Sequence, residues 1–182
     1  MTYRPIPKES YPQILNKSDI ITAKLLCKLY TGEHGELKSI LQFKYHIAHF
    51  NKRKFTEVSS ILEKIITEDL SHLDLLAKTL ISLGVDPIYT ERPNDKYKFF
   101  STANLSYTNV PKQMLFDDIA QKIQSVRTYK QVLANLKNPE IYSLINQIKT
   151  AEDSHLAELK NLNAKIFSNK KGAPYEDPSL IK

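Results

Sequence analysis

Residues 67–76 read TEDLSHLDLL and residues 150–159 read TAEDSHLAEL. The two stretches align without a gap: Thr67 with Thr150, Asp69 with Glu152, Ser71 with Ser154, His72 with His155, Leu73 with Leu156 and Leu76 with Leu159. In each copy a carboxylate and an imidazole stand three residues apart, which puts both on one face of a helix. Each pair also falls on the apolar stripe of its segment. A carboxylate buried in a core is costly unless it is paired or bound to a metal. Two matching sites on two core-facing stripes therefore predict a helical bundle built from two related halves.

The prolines show where long helices can run. They fall at 5, 7, 12, 87, 93, 111, 139, 174 and 178, and proline suits a helix start but breaks a helix interior. Asn138 before Pro139 reads as an N-cap, and Gly84 after Leu80-Ile81-Ser82-Leu83 as a helix stop. Four stripes with steps of three and four residues fill the windows. The first runs Leu29, Glu33, Glu36, Ile40, Phe43, Ile47. The second runs Val58, Leu62, Ile65, Asp69, His72, Leu76, Thr79, Leu83. The third is Leu115, Ile119, Lys122, Val126, Tyr129, Leu133, and the fourth is Ile141, Ile145, Ile148, Glu152, His155, Leu159, Leu162, Ile166. This periodicity predicts helices at 18–50, 54–83, 110–137 and 139–167.

Short turns near 51–53 and 138 make two antiparallel hairpins, and residues 84–109 form a long connection between them. The expected architecture is all-α: a ferritin-like antiparallel four-helix bundle, two hairpins joined by one crossover. The bundle should span 18–167, with an N-terminal arm at 1–17 and a tail at 168–182.

Composition removes several alternatives. The single Cys27 cannot build a thiolate-ligated iron–sulfur or rubredoxin-type centre. No apolar run reaches the length of a bilayer span, no signal-peptide pattern opens the chain, and one cysteine fits a reducing compartment. The expected setting is the cytoplasm. A net charge of +6 permits an anionic partner, but the one dense basic cluster, Lys52-Arg53-Lys54, reads as a solvated loop, and no nucleic-acid motif accompanies it.

Each stripe turns polar only near its middle: Glu33 and Glu36, then Asp69 and His72, then Lys122, then Glu152 and His155. These positions meet at one level. The template for a carboxylate di-metal site takes one Glu from each of two helices and Glu-x-x-His from the other two. Glu36, Asp69, His72, Glu152 and His155 map onto it, while the third helix supplies Lys122 where a Glu belongs. Three carboxylates and one ammonium suit one divalent ion or none. Lys122 could tie the carboxylates together as an ammonium or, if neutral, donate to a metal itself; Glu33 could replace a ligand or pair with Lys122. The competing reading is a buried salt-bridge network with no metal. His46 and His49 flank the first stripe and are expected to face solvent; Tyr129 is either a hydrogen-bonding neighbour of the site or core.

The chain resembles the rubrerythrin-related and manganese-catalase-like branch of the ferritin-like superfamily over about residues 29–165. The resemblance rests on Gly35–Phe43, Glu68–Leu76, Ser82–Pro87, Asp118-Ile119 and Ala151–His155. It implies bridged iron or manganese ions that react with peroxide or oxygen. Asp69 and Lys122 both stand where that family carries Glu. The resemblance further implies a homo-oligomer, with a dimer as the default, and an external electron donor if the chain is a peroxidase. The alternative function is a metal-degenerate bundle with a structural, assembly or spore-coat and stress-associated role. Iron storage ranks third.

Overall fold

The computed structural model describes residues 19–90 and 98–168. The arm expected at 1–17, and the tail at 168–182 apart from Ser168, lie outside them. Among the described residues five α-helices carry the fold: α1 (Ile20–Tyr30), α2 (Glu36–Lys52), α3 (Thr56–Ser82), α4 (Pro111–Leu133) and α5 (Pro139–Asn163), with a short π-helical turn at Ala164–Ser168. Helices α2 and α3 form one antiparallel hairpin, and α4 and α5 the other. Helix α1 packs across α3 and α4 at one end of the bundle. Among the described residues no helix is long and apolar enough to cross a membrane.

Local chemistry sets the boundaries. Asn138 Oδ1 accepts the backbone N–H groups of Glu140 and Ile141 at 2.9 and 3.0 Å, so two of the donors that open α5 are satisfied. Both α4 and α5 begin on proline. Just past α3, Gly84 takes φ 75°, a conformation open to glycine at no steric cost. Among the described residues of the connection between the hairpins there is a three-residue 3₁₀ turn at Thr102–Asn104 and an isolated bridge between Thr90 and Phe99.

The single helix expected at 18–50 is instead two helices, separated at residues 31–35. A Cβ at Gly32 would stand 2.3 Å from the Lys28 carbonyl oxygen, and one at Gly35 would stand 2.6 Å from that of Leu29. The chain folds back on itself there in a way only glycine fits. Thr31 Oγ1 then donates to the Thr90 carbonyl at 2.9 Å, fastening the break to the crossover. Because of the break, Glu36 is the first residue of α2, where the positive end of the helix dipole favours a carboxylate.

The core consists of two apolar clusters. One gathers α1, the C-terminal part of α3 (Leu75, Leu76, Leu80), Tyr129 and Val132 of α4 and the first half of α5 (Ile141, Ile145, Ile148). The other gathers α2 (Ile40, Phe43, Ile47), the N-terminal half of α3 (Leu62, Ile65), the start of α4 (Met114, Leu115) and the end of α5 (Leu159, Leu162). Between them lies one polar layer.

Candidate metal centre

That layer holds Glu36, Asp69, His72, Lys122, Glu152 and His155. The first, second, fourth and fifth of these expose none of their surface, and His72 and His155 at most 5%. Five of the six are the residues the metal-site template selected, and the sixth is the lysine that departs from it.

Lys122 is the electrostatic hub. Its Nζ donates to Asp69 Oδ1 and Oδ2 at 2.9 and 2.8 Å and to Glu152 Oε2 at 2.7 Å. Nζ also lies 5.7 Å from the centre of the Phe43 ring. Burial alone would lower the pKa of the ammonium, but the charges of Asp69, Glu152 and Glu36 outweigh it and hold the pKa above the usual lysine value. Glu152 shows the reciprocal effect. Burial would raise it, yet Lys122 and the hydrogen bond from His155 keep it well below the usual carboxylate range.

Glu36 behaves oppositely. Burial, then the neighbouring charges of Glu152 and Asp69, push its pKa well above the ordinary range, and Lys122 and Tyr129 only partly offset them. The Tyr129 hydroxyl donates to Glu36 Oε1, so Tyr129 is a hydrogen-bonding neighbour of the site as well as core. Glu36 Oε2 has no hydrogen-bond partner, and neither does His72 Nδ1. His72 Nδ1 lies 3.6 Å from Glu152 Oε1 and 4.0 Å from Asp69 Oδ1. One ligand atom from each of Glu36, Asp69, His72 and Glu152 lies within 4.8 Å of the others, close enough to converge on one ion.

His155 is fully engaged. Its Nδ1 donates to Glu152 Oε1 at 3.2 Å and lies 3.4 Å from Asp69 Oδ1, while Nε2 donates to Glu68 Oε2 at 2.8 Å. Burial would lower its pKa, but these carboxylates win and raise it to about 10. Glu68 lies one residue off the stripe, and the periodicity did not single it out. The aligned residue in the second half is Ala151, which has nothing to offer His72.

The internal repeat is visible in the backbone. Thr67 and Thr150 donate to the carbonyls four residues back, Glu63 and Asn146, and Ser71 and Ser154 donate to those of Thr67 and Thr150. The His72 and His155 rings stack with centroids 6.2 Å apart.

Two expectations are corrected. Glu33 falls in the break between α1 and α2 and is exposed, because the stripe is interrupted there; it reaches neither Lys122 nor the layer. His46 is not solvent-facing but fully buried. Its Nδ1 meets Asp118 Oδ1 at 2.7 Å, and Gln42 Nε2 donates to the same oxygen at 3.0 Å. Gln42 Oε1 in turn accepts the backbone N–H of Ser106. This second polar cluster ties α2, α4 and the crossover together. Beside it, His34, Lys38, Gln42, Ser106, Asp117 and Gln121 line part of a cleft of about 370 Å³. No member of the charged layer lines it.

A helical hairpin pair with a long crossover, and a Glu/Asp-x-x-His on one helix of each hairpin, is the ferritin-like class. The family model for the ferritin-like domain matches residues 28–167, and the chain belongs to that family. Its backbone is similar to two crystal structures of KatB, a manganese catalase from Anabaena. They match with TM-scores of 0.73 and 0.72 and 18% and 17% identity, each covering 99% of this chain and 89% of that chain. It is also similar to the Desulfovibrio desulfuricans bacterioferritin, described with a diiron site (TM-score 0.67, 19% identity, 85% of this chain and 86% of that chain). At these identities the likeness is one of fold. No curated protein sequence matches the chain.

Proposed function

We propose that this protein is an iron- or manganese-dependent oxidoreductase acting on peroxide or oxygen, with Glu36, Asp69, His72, Glu152 and His155 as its metal-site residues. The observation that carries the reading is the pair of buried, unpartnered ligand atoms, Glu36 Oε2 and His72 Nδ1, beside Asp69 and Glu152. An orphaned buried acceptor is costly, and a cation between these atoms would satisfy both. The donor set of carboxylate oxygens and imidazole nitrogen suits iron or manganese. Bound there, either ion would supply the electron exchange with peroxide or oxygen.

The chain's own residues do the rest. Tyr129 holds Glu36 through Oε1 and leaves Oε2 without a hydrogen bond. Ser125 Oγ, 3.3 Å from Glu152 Oε2, helps to hold that carboxylate. Phe43 and Tyr129, both fully buried, border the layer, with the Phe43 ring centre 5.7 Å from Lys122 Nζ. The similarity in fold to a manganese catalase and to a diiron bacterioferritin supports this choice of chemistry. As part of the same reading the chain works as a homo-oligomer, a dimer in its simplest form, with an external electron donor if it acts as a peroxidase.

The test is peroxide consumption and oxygen evolution by the protein loaded with iron or manganese, with and without a reductant. Turnover above that of the free metal and of chelated protein is expected. Loaded protein that leaves peroxide untouched under both conditions would exclude the activity. One observation favours a second reading: the ammonium of Lys122 binds three carboxylate oxygens where a ligand carboxylate would stand. In that reading the layer is a permanent salt-bridge network in a structural or assembly protein, and the protein takes up no metal.

A further inference from the structure

The six residues of the layer fall into two sets by what their atoms are committed to. Glu36, Asp69, His72 and Glu152 each offer a ligand atom, and these converge within 4.8 Å. In that set Glu36 Oε2 and His72 Nδ1 make no hydrogen bond, and Nδ1 stands 3.6 Å from Glu152 Oε1. Lys122 and His155 are already committed: Lys122 donates to Asp69 and Glu152, and His155 to Glu152 and Glu68.

Resting on the metal-dependent reading above, we infer that the centre takes a single divalent ion, held by Glu36, Asp69, His72 and Glu152, and that the Lys122 ammonium is the permanent occupant of the second position. Three arguments carry this. The first is space. A second ion bonded at about 2.0–2.2 Å to the same carboxylate oxygens would overlap Nζ, which lies 2.7–2.9 Å from them. Lys122 has no exposed surface and cannot swing out to solvent.

The second is charge. Counted with Glu36 ionised, as a ligand must be, three carboxylates and one ammonium leave two negative charges, which one divalent ion cancels. A second such ion would leave two positive charges in a fully buried layer, a heavy cost. His155 does not disturb this balance, since Glu68 faces it at 2.8 Å.

The third is the broken symmetry of the repeat. Glu68 reaches across to His155, but the aligned Ala151 leaves His72 without an equivalent carboxylate partner. His155 Nε2 thus has a carboxylate of its own, whereas His72 Nδ1 makes no hydrogen bond and stands 3.6 Å from Glu152 Oε1.

The experiment uses the full chain, stripped of metal, reloaded with excess Mn²⁺ and dialysed. Metal per chain is measured by mass spectrometry, and the spin state by electron paramagnetic resonance. One manganese per chain with the resolved hyperfine pattern of an isolated ion is expected. Two per chain with a spin-coupled signal would overturn the single-ion inference and leave the metal-dependent reading standing. No uptake of manganese or of iron would overturn that reading itself.

The histidines test the placement independently. His72→Gln should weaken Mn²⁺ binding by more than the roughly 10–100-fold that loss of an outer hydrogen-bond partner costs, whereas His155→Gln, which removes such a partner of Glu152, should stay within that range. Equal losses in the two variants would refute the assignment of the ion to Glu36, Asp69, His72 and Glu152. Lys122→Glu should raise the capacity to two ions per chain, and a capacity that stays at one would show that the ammonium is not what limits it.

Discussion

Replacing Lys122 with methionine removes one positive charge from a layer that holds three carboxyl groups, and leaves an unbranched side chain one atom shorter. The ammonium makes hydrogen bonds of 2.7, 2.8 and 2.9 Å to two of those carboxylates, with all three groups fully buried. Breaking a buried ion pair from one side costs ~3–5 kcal/mol, because the remaining charge is left uncompensated. For a chain of this size, with ~2–4 °C per kcal/mol, the metal-free variant should melt ~6–20 °C below the parent near pH 7. The loss should depend on pH. Lys122 holds Glu152 below its ordinary pKa, so that stability is present above about pH 4.5 and disappears as the pH falls through the folded-state value. Parent and Lys122→Met should therefore converge in acid. The double variant Asp69→Asn/Lys122→Met should recover part of the loss, since the two residues act as one unit. The assay is urea and thermal unfolding followed by helical circular dichroism, in chelator, at several pH values. A Lys122→Met protein as stable as the parent at neutral pH would refute the view that this ammonium neutralises the layer.

Three further outcomes are expected. His155, raised to about 10 from 6.5 in the unfolded chain, contributes stability that is complete below pH 6.5 and lost as the pH climbs toward 10. The metal-free protein should weaken over that window by at most ~5 kcal/mol, and a His155→Gln chain with the same slope would show the linkage to lie elsewhere. Tyr129→Phe removes the one donor to Glu36 and should cost ~1–3 kcal/mol; an unchanged urea midpoint would mean that the hydroxyl contributes nothing. Asp118→Ala strands His46 and Gln42 in the α2–α4 interface and should cost a similar ~1–3 kcal/mol, read by the same unfolding curves, with a neutral result counting against a buried tie between the hairpins.

Much of this architecture is legible in the chain because its signals are local. Prolines 111 and 139 start helices, Asn138 caps one and Gly84 stops another, each through its own backbone chemistry. The repeat at 67–76 and 150–159 located the charged layer because carboxylates on an apolar stripe need a shared explanation. The break at 31–35 was not legible from periodicity, since Leu29, Glu33 and Glu36 keep helical spacing across it. The signal was the close pair Gly32 and Gly35, whose meaning depends on carbonyls of the preceding turn. His46 was misplaced because a bundle helix buries a wider arc than its central stripe, and what receives the imidazole, Asp118, sits on another helix. Glu68 was missed for the same reason: it lies off its own stripe and finds its partner across the bundle.

The two apolar clusters do not merge into one core. Leu73 packs against both, and otherwise the joint between them is the charged layer itself. Cooperativity along the long axis of the bundle is therefore entrusted to ions rather than to close-packed methyl groups. Hydrogen bonds among charged groups hold only while every partner is present, so the layer acts as a fuse between two blocks of hydrocarbon. With it intact, both ends of the bundle should exchange their amide protons in one global opening. With Lys122 or its carboxylate partners removed, the end built around α1 and the end built around Phe50 and Phe55 should become separately protected units, each opening on its own clock.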